Sequence, residues 1–306
     1  MGICIFGSLN MDLVVQAPRL PKPGETLSGS KFETIPGGKG ANQAVAAARL
    51  GSQAHLFGRV GGDGFGQQSI SSLRSQGVVC DDIAIDDSTH TGIASIIVAS
   101  NGANQIVLAA GANGQVGEVD IDRLQNKLPG MSALLLQLEI PIDIAIAAAK
   151  AAQAAGVNVI LDPAPAPIQF PLEFYRLIDI LTPNQTEAEQ LLGVEIHTID
   201  DAIQAAQQFR QKGVQRVVLT LGEQGIVVAD EQGVIHWPSY PTTVVDTTAA
   251  GDAFNGAVAA ALDRQHPWTT ALQWGLAAGA LTVSRSGAQP SLPSQTELFR
   301  FLQSLP

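Results

Sequence analysis

The chain has 306 residues, is 45% hydrophobic and 15% charged, and carries a net charge of -11 without a basic stripe. That balance excludes a disordered chain and argues against a nucleic-acid or membrane-surface partner. Its two cysteines, Cys4 and Cys80, make neither a disulfide framework nor a zinc site, and with no basic leader and no 18-residue apolar run the expected location is cytoplasmic.

Residues 2–7 read as a buried strand. Residues 11–16 and 24–35 read as extended, because Pro18, Pro21 and Pro23 break any helix between them. A turn at Pro36-Gly37-Gly38-Lys39-Gly40 opens a helix over residues 41–50, followed by a strand at 54–60 and a helix at 66–76. Beyond Asp86, the segments 93–99 and 105–109 flank Asn101-Gly102, a hairpin signal. The two β-rich insertions, near residues 11–36 and 89–110, are expected to pair as a small lid over the C-terminal end of the first strand.

From residue 120 the pattern alternates: helix 120–127, strand 133–138, helix 142–155, strand 157–161, strand 177–181, helices 186–192 and 199–212, strand 214–221. Segments 226–229 and 234–236 read as an edge meander, 242–245 as extended, and 252–262, 267–284 and 294–303 as helices. Strands alternating with helices of this length predict an α/β fold. Its expected form is three αβα layers around a mostly parallel sheet, plus the small lid sheet, as a single domain over residues 1–306. Ligands then bind at the C-terminal ends of the strands.

The densest chemistry is Val245-Asp246-Thr247-Thr248-Ala249-Ala250-Gly251-Asp252-Ala253-Phe254. Its small residues let amides turn inward at a helix start, where unpaired N–H groups and the dipole favour an anion. A carboxylate at Asp252 could take a proton from a hydroxyl while that anion is held. The competing reading of Asp252 is an ordinary helix N-cap. The chain has no G-x-G-x-x-G, and Gly38-Lys39 is followed by Gly40, so neither a nicotinamide fingerprint nor a Walker A loop is present.

Asn10 and Asp12 after the first strand, with residues 37–42 ahead of the first helix, suit a polyhydroxylated ligand, or else turn chemistry. Glu139 ends an apolar strand, a place for a site carboxylate or for an ordinary surface Glu. Thr182-Pro183-Asn184-Gln185-Thr186-Glu187 is a capping-box variant, or a place where Asn184 and Glu187 meet phosphate oxygens and water-bound Mg²⁺. Residues 220–225, from Thr220 through Gly222 to Gly225, form a glycine turn that could also lie beneath a nucleotide. Asp246, Thr248 and residues 286–291 are oxygen-rich loop pieces that could build a carbonyl cage for a monovalent cation.

Taken together these pieces resemble the ribokinase-like carbohydrate kinases of the PfkB family. The matching stretches are residues 7–12, 20–26, 36–48 (PGGKGANQAVAAA), 58–61, 111–113, 136–139, 163–165, 184–187, 246–252 (DTTAAGD) and 287–291. They run nearly end to end, and the stretches around 37–42 and 246–252 are specific as an ordered pair. The resemblance implies ATP-dependent phosphorylation of D-ribose at O5. Asp252 is then the base, and the amides of Ala249, Ala250, Gly251 and Asp252 form the anion hole. Asn10, Asp12, Gly38, Lys39, Asn42, Glu139 and Asp252 line the sugar site. Asn184, Thr220, Gly222, Gly225 and Gly251 contact ATP, and Asn184 with Glu187 orders Mg²⁺. Asp246, Thr248, Thr282, Arg285, Gly287 and Ser291 hold K⁺, several through backbone carbonyls, and the lid sheet makes a homodimer. Leu276 stands where relatives often carry a polar residue near the adenine, and Gln185 replaces a frequent Glu. The scarcity of aromatics in the lid segments favours a free pentose. A kinase for another sugar or for a nucleoside, or a non-catalytic sugar sensor, remains as an alternative.

Overall fold

The computed structural model describes residues 1–305. Among them are thirteen strands: β1 (Gly2–Phe6), β2 (Asn10–Ala17), β3 (Lys31–Gly37), β4 (Gln53–Gly61), β5 (Ile83–Asp86), β6 (Gly92–Ala99), β7 (Asn104–Ala109), β8 (Met131–Leu136), β9 (Asn158–Leu161), β10 (Ile180–Leu181), β11 (Arg216–Thr220), β12 (Ile226–Asp230) and β13 (Gly233–Trp237). The α-helices are α1 (Lys39–Arg49), α2 (Gly64–Ser75), α3 (Glu118–Lys127), α4 (Ile142–Ala154), α5 (Leu172–Tyr175), α6 (Gln185–Leu192), α7 (Ile199–Gln211), α8 (Ala250–Asp263), α9 (Trp268–Val283) and α10 (Gln295–Ser304).

Nine strands form one sheet in the order β13-β12-β11-β10-β9-β8-β1-β4-β5. Pairing is parallel from β11 to β5 and antiparallel at β11–β12 and β12–β13. An unbroken apolar strand suits a parallel sheet covered on both faces, and all five residues of β1 are buried. Its side chains alternate between the two layers. Ile3 and Ile5 join the core under α1, α8 and α9, while Cys4 and Phe6 join the core under α4 and α7. Burial pushes the Cys4 thiol up to about 12, leaving it an inert core residue.

Chain order reverses beside β1, whose neighbours are β8 on one side and β4 on the other. Loops leaving β1 and β8 therefore diverge and open a crevice at their carboxyl ends, the place where α/β sheets bind ligands. The two insertions form a separate sheet, β3-β2-β6-β7, in which β2 pairs parallel to β6.

Several elements depart from the sequence reading. Residues 242–245 are exposed and irregular; the amides of Val245 and Asp246 both donate to the Val283 carbonyl at the end of α9 (2.7 and 3.2 Å), so no ladder forms. Of residues 24–35 only the stretch from Lys31 onward pairs as β3. Helix α8 begins at Ala250, two residues earlier than expected. The short elements β5 and α5 escape a reading based on periodicity, being four residues each.

Candidate active site

At the switch point, Ser8 leaves β1 and Glu139 follows β8. Glu139 Oε2 accepts from Ser8 Oγ (2.5 Å), Asn10 Nδ2 (3.4 Å) and the Lys39 amide at the start of α1 (3.1 Å). Glu139 therefore satisfies a helix N-terminus and is not a free surface carboxylate. The turn before α1 demands glycine at residue 38: its φ is +91°, and a Cβ there would lie 2.7 Å from the Asn10 amide. Asn10 is fixed from behind by Asn113, whose Nδ2 donates to Asn10 Oδ1 (2.7 Å) and whose Oδ1 accepts from the Leu9 amide (2.9 Å). On β2, Asp12 stands beside this cluster. Burial, with Glu139 and then Asp252 nearby, pushes its carboxyl up to about 7.

Helix α8 brings the second half. Its N-cap, Ala249, has φ 60° and no side-chain cap. The Ala250 amide donates to the Thr247 carbonyl (3.3 Å), and the Ala253 amide to that of Ala249 (2.8 Å). Among the described residues, the amides of Ala249, Gly251 and Asp252 have no partner in the protein, whereas that of Ala250, expected as a fourth free donor, is taken by Thr247. Asp252 is thus the third residue of the helix and not its N-cap. The residue is 5% exposed, with its side chain turned toward α1. Oδ2 accepts from Asn42 Nδ2 (2.9 Å) and Oδ1 from Gln43 Nε2 (3.2 Å). The α1 residues and the α8 start are therefore one connected cluster.

A cavity of about 480 Å³ opens from the α8 start, lined among others by Lys39, Asp162, Asn184, Glu187, Thr220 and Gly251. Among the described residues Lys39 is the one cation on this wall, and its Nζ lies 3.5 Å from Asp162 Oδ2. Burial pulls the Lys39 pKa down, but Asp162, Asp252, Glu139 and Glu187 outweigh it and leave the ammonium firmly charged. Burial pushes the carboxyls of Asp162 and Glu187 up, against the opposing pull of Lys39. Asn184 caps α6: its Oδ1 accepts from the Glu187 amide (2.9 Å), and its own amide donates to Glu187 Oε2 (2.8 Å). The capping reading of this pair is present in the structure, and both residues also face the cavity.

A second cavity of about 360 Å³ adjoins the first and shares Thr220, Gly222 and Gly251 with it. Its walls are mostly apolar, with Ile226, Tyr240, Val244, Phe254, Leu276 and Val283. Gly225 lies here with φ +92°, in a turn where a Cβ would meet the Trp237 carbonyl at 2.1 Å. The apolar cavity and the polar chamber together suit a heteroaromatic ring joined to an anionic tail.

Behind the α8 start, Asp246 Oδ1 accepts from the amide and hydroxyl of Thr248 (2.9 and 2.6 Å), and Oδ2 from the Gly287 amide (2.8 Å). Those bonds hold the Asp246 carboxyl below the usual carboxylate range despite its partial burial. The Thr282 hydroxyl is buried without a partner among the described residues, Ser291 donates to the Ala288 carbonyl (2.7 Å), and the Arg285 guanidinium turns away to Glu297 (2.7 Å). Asp246, Thr248 and Gly287 are thus brought together directly, with Thr282 and Ser291 buried and the Arg285 side chain directed elsewhere.

Sequence reasoning passed over Gln43, Asp162, Asn113 and Gln137. Asp162 follows β9 at the carboxyl edge of the sheet, the same signal that marked Glu139 after β8. Gln43 lies inside the 36–48 stretch, one residue beyond Asn42.

The sequence profile of the pfkB family carbohydrate kinases matches residues 2–295. The ribokinase of Haemophilus influenzae is 40% identical over 301 residues, spanning 98% of each chain. The deoxyribokinase of Salmonella typhi is 34% identical over 302 residues, spanning 99% of each. Among solved structures, Arabidopsis thaliana ribokinase complexed with ribose and ATP superposes with a TM-score of 0.90 at 35% identity, covering 99% of this chain and 98% of that one. Thermotoga maritima ribokinase gives a TM-score of 0.91, also at 35% identity, over 99% and 100%.

Proposed function

Because the chain belongs to the pfkB family of carbohydrate kinases, we propose that it transfers the γ-phosphoryl group of ATP to O5 of D-ribose, giving D-ribose 5-phosphate and ADP. One observation carries this reading. A buried carboxylate, Asp252, sits in the first turn of a helix whose neighbouring amides are free, hydrogen-bonded to the α1 cluster on one side and open to a cavity on the other.

Asp252 takes the proton from the O5 hydroxyl as that oxygen bonds to the γ-phosphorus and the bond to the β,γ-bridging oxygen breaks. Charge gathering on the transferred group meets the amides of Ala249, Gly251 and Asp252, donors already aimed and needing no reorganisation. Phosphoryl transfer asks mainly for alignment and charge stabilisation, which is what such a site offers. Asn10, Asp12, Asn42 and Glu139 hold the sugar hydroxyls, and Lys39 offsets phosphate charge. The apolar slot around Leu276 takes the adenine.

Among the described residues no group of three or more His, Cys, Asp or Glu could hold a metal unaided. That fits Mg²⁺, which keeps its waters and needs one or two carboxylates beside substrate phosphates. Glu187, with Asn184, would hold it, and Mg²⁺ would neutralise phosphate charge. Oxygens around Asp246, with the orphaned Thr282 hydroxyl, suit K⁺, which would fix the loop behind the α8 start. The small sheet acts as a lid that excludes water. Its exposed Phe32, Ile106, Val107 and Leu108 support a homodimer contact through that sheet.

An ADP-release assay over D-ribose, 2-deoxy-D-ribose, fructose and adenosine, in K⁺ and in Na⁺ buffer, tests the reading. Highest kcat/KM for D-ribose with faster turnover in K⁺ is expected. Release with none of them overturns the kinase assignment, preference for adenosine overturns the substrate, and equal rates in the two salts remove the cation site. A monomer in sedimentation overturns the lid-sheet dimer.

A further inference from the structure

Buried behind the proposed base is a chain of amides that touches neither cavity. Gln43 Nε2 donates to Asp252 Oδ1 (3.2 Å) and to Asp162 Oδ2 (3.0 Å), and Gln43 Oε1 accepts from Gln137 Nε2 (2.6 Å). Gln43 is 1% exposed and Gln137 fully buried. Neither lines the 480 Å³ chamber, whereas Asp162 and Asp252 both do.

The orientation of the Gln43 amide is dictated by its neighbours. A primary amide has two N–H donors on one atom and two lone pairs on the other. Turned the other way, Gln43 would press its oxygen against two carboxylates and its NH₂ against that of Gln137. Gln137 is seated in turn: its Oε1 occupies the space that a Cβ on Gly7 would fill, and it finds no donor there. Its Nε2 is left to orient Gln43.

We propose that Gln43, oriented by Gln137, is a positioning residue that spans Asp252 and Asp162 with one NH₂ group. This rests on the reading of Asp252 as the base. Asp162 holds Lys39, so the bridge ties the group that receives the proton to the cation beside the phosphates. Each Asp252 oxygen keeps one fixed donor, Gln43 on Oδ1 and Asn42 on Oδ2, and a free lone pair for the hydroxyl. Asn42 alone would leave the carboxylate able to swing about its Cβ–Cγ bond. Two donors on two oxygens fix its plane.

The test is steady-state kinetics of the full chain with D-ribose and Mg-ATP for Gln43→Met, Gln137→Leu, the double variant and Asp252→Asn. Gln43→Met keeps the volume and removes both donors. Its kcat is expected to fall roughly 10- to 100-fold, the scale of a misplaced reacting group, with both KM values within about threefold. Gln137→Leu is expected to lower kcat in the parent and to add little when combined with Gln43→Met, since it acts through Gln43. If Gln43→Met does not fold, Gln43→Asn keeps an amide but withdraws it by one methylene, and the same fall in kcat is expected. Parent-like kcat in a folded Gln43 variant, a rise in KM with kcat intact, or full additivity with Gln137→Leu overturns the inference. If Asp252→Asn instead keeps near-normal turnover, the base assignment itself fails, a result distinct from any of these.

Discussion

The helices α1 and α8 begin alike and are used oppositely. Each starts from small residues, Gly38 or Ala249, in a backbone conformation with positive φ and without a side-chain cap. At α1 the free donors are consumed internally: Lys39 N by Glu139, Gly40 N by Ser8 Oγ (3.3 Å), Ala41 N by the Ser8 carbonyl (3.0 Å). At α8 the donors of Gly251 and Asp252 stay open beside a cavity. Positive dipole ends are equally present at both; what separates them is that acceptors of the fold itself, Glu139 and Ser8, reach the first-turn amides of α1. Removing the carboxylate that α8 keeps in its first turn gives the largest expected effect. Asp252→Asn should lower kcat by roughly 10²–10⁴-fold or more, while D-ribose still binds by calorimetry. Near-normal turnover refutes the proposal that Asp252 is the base.

The same substitution at both helix starts sharpens the contrast. Proline is tolerated in a first helical turn but removes an N–H. At Gly251, where a Cβ meets nothing within 4 Å, Gly251→Pro should keep Tm close to the parent's and lower kcat roughly 10²–10³-fold, the cost of one preorganised donor. At Gly40 a Cβ would lie 2.6 Å from the Ser8 amide. Gly40→Pro should therefore fail by unfolding, visible as a lost thermal transition. Turnover surviving in Gly251→Pro would show that its amide is not used.

Much of this was legible in the sequence. Period and turn residues located most elements, and the pairing of the two insertions followed from their β character and the Asn101-Gly102 turn. The paired stretches at 36–48 and 246–252 marked both helix starts. What stayed hidden depends on distance in three dimensions. Nothing local to Glu139 says that it caps a helix 100 residues earlier, or to Gln43 that it faces Asp162 and Asp252, 119 and 209 positions away. The expected strand at 242–245 failed because an apolar, β-branched run reads as a strand whether or not an edge is there to pair with. One helical carbonyl, that of Val283, takes its donors instead.

Asp12 lies on the α1 side of the comparison and gives a smaller, pH-dependent effect. Its carboxyl, pushed up to about 7, compares with an ordinary value near 4. Between those values the folded state holds the extra proton, so this group makes the ligand-free protein less stable as pH rises from about 4 to 7. On the proposed reading sugar binding runs the other way, because an ionised carboxylate can accept two hydroxyls. KM for D-ribose should therefore rise up to about tenfold per pH unit below 7, the limit for a single titrating group, and Asp12→Asn should flatten the profile. An unchanged profile in Asp12→Asn would assign the dependence elsewhere.

The smallest expected effect on turnover concerns the separation of the two helix starts. Asp252 and Gly256 lie four residues apart on one face of α8, the face that meets α1. A Cβ on Gly256 would lie 2.5 Å from Ala46 Cβ and 2.8 Å from the Gln43 carbonyl. Backbone contacts of that kind cannot be relieved by a rotamer change, so Gly256→Ala should push the helices apart at about 1–3 kcal/mol, as overpacked cores do, lowering Tm by a few degrees. Because Asn42 and Gln43 bind Asp252 one turn away, the same displacement should stretch those hydrogen bonds and reduce kcat by a small factor with KM for ATP unchanged. A lowered Tm with kcat intact would mean that Asp252 keeps its place by adjustment within α8, and that the close approach at Gly256 serves stability alone.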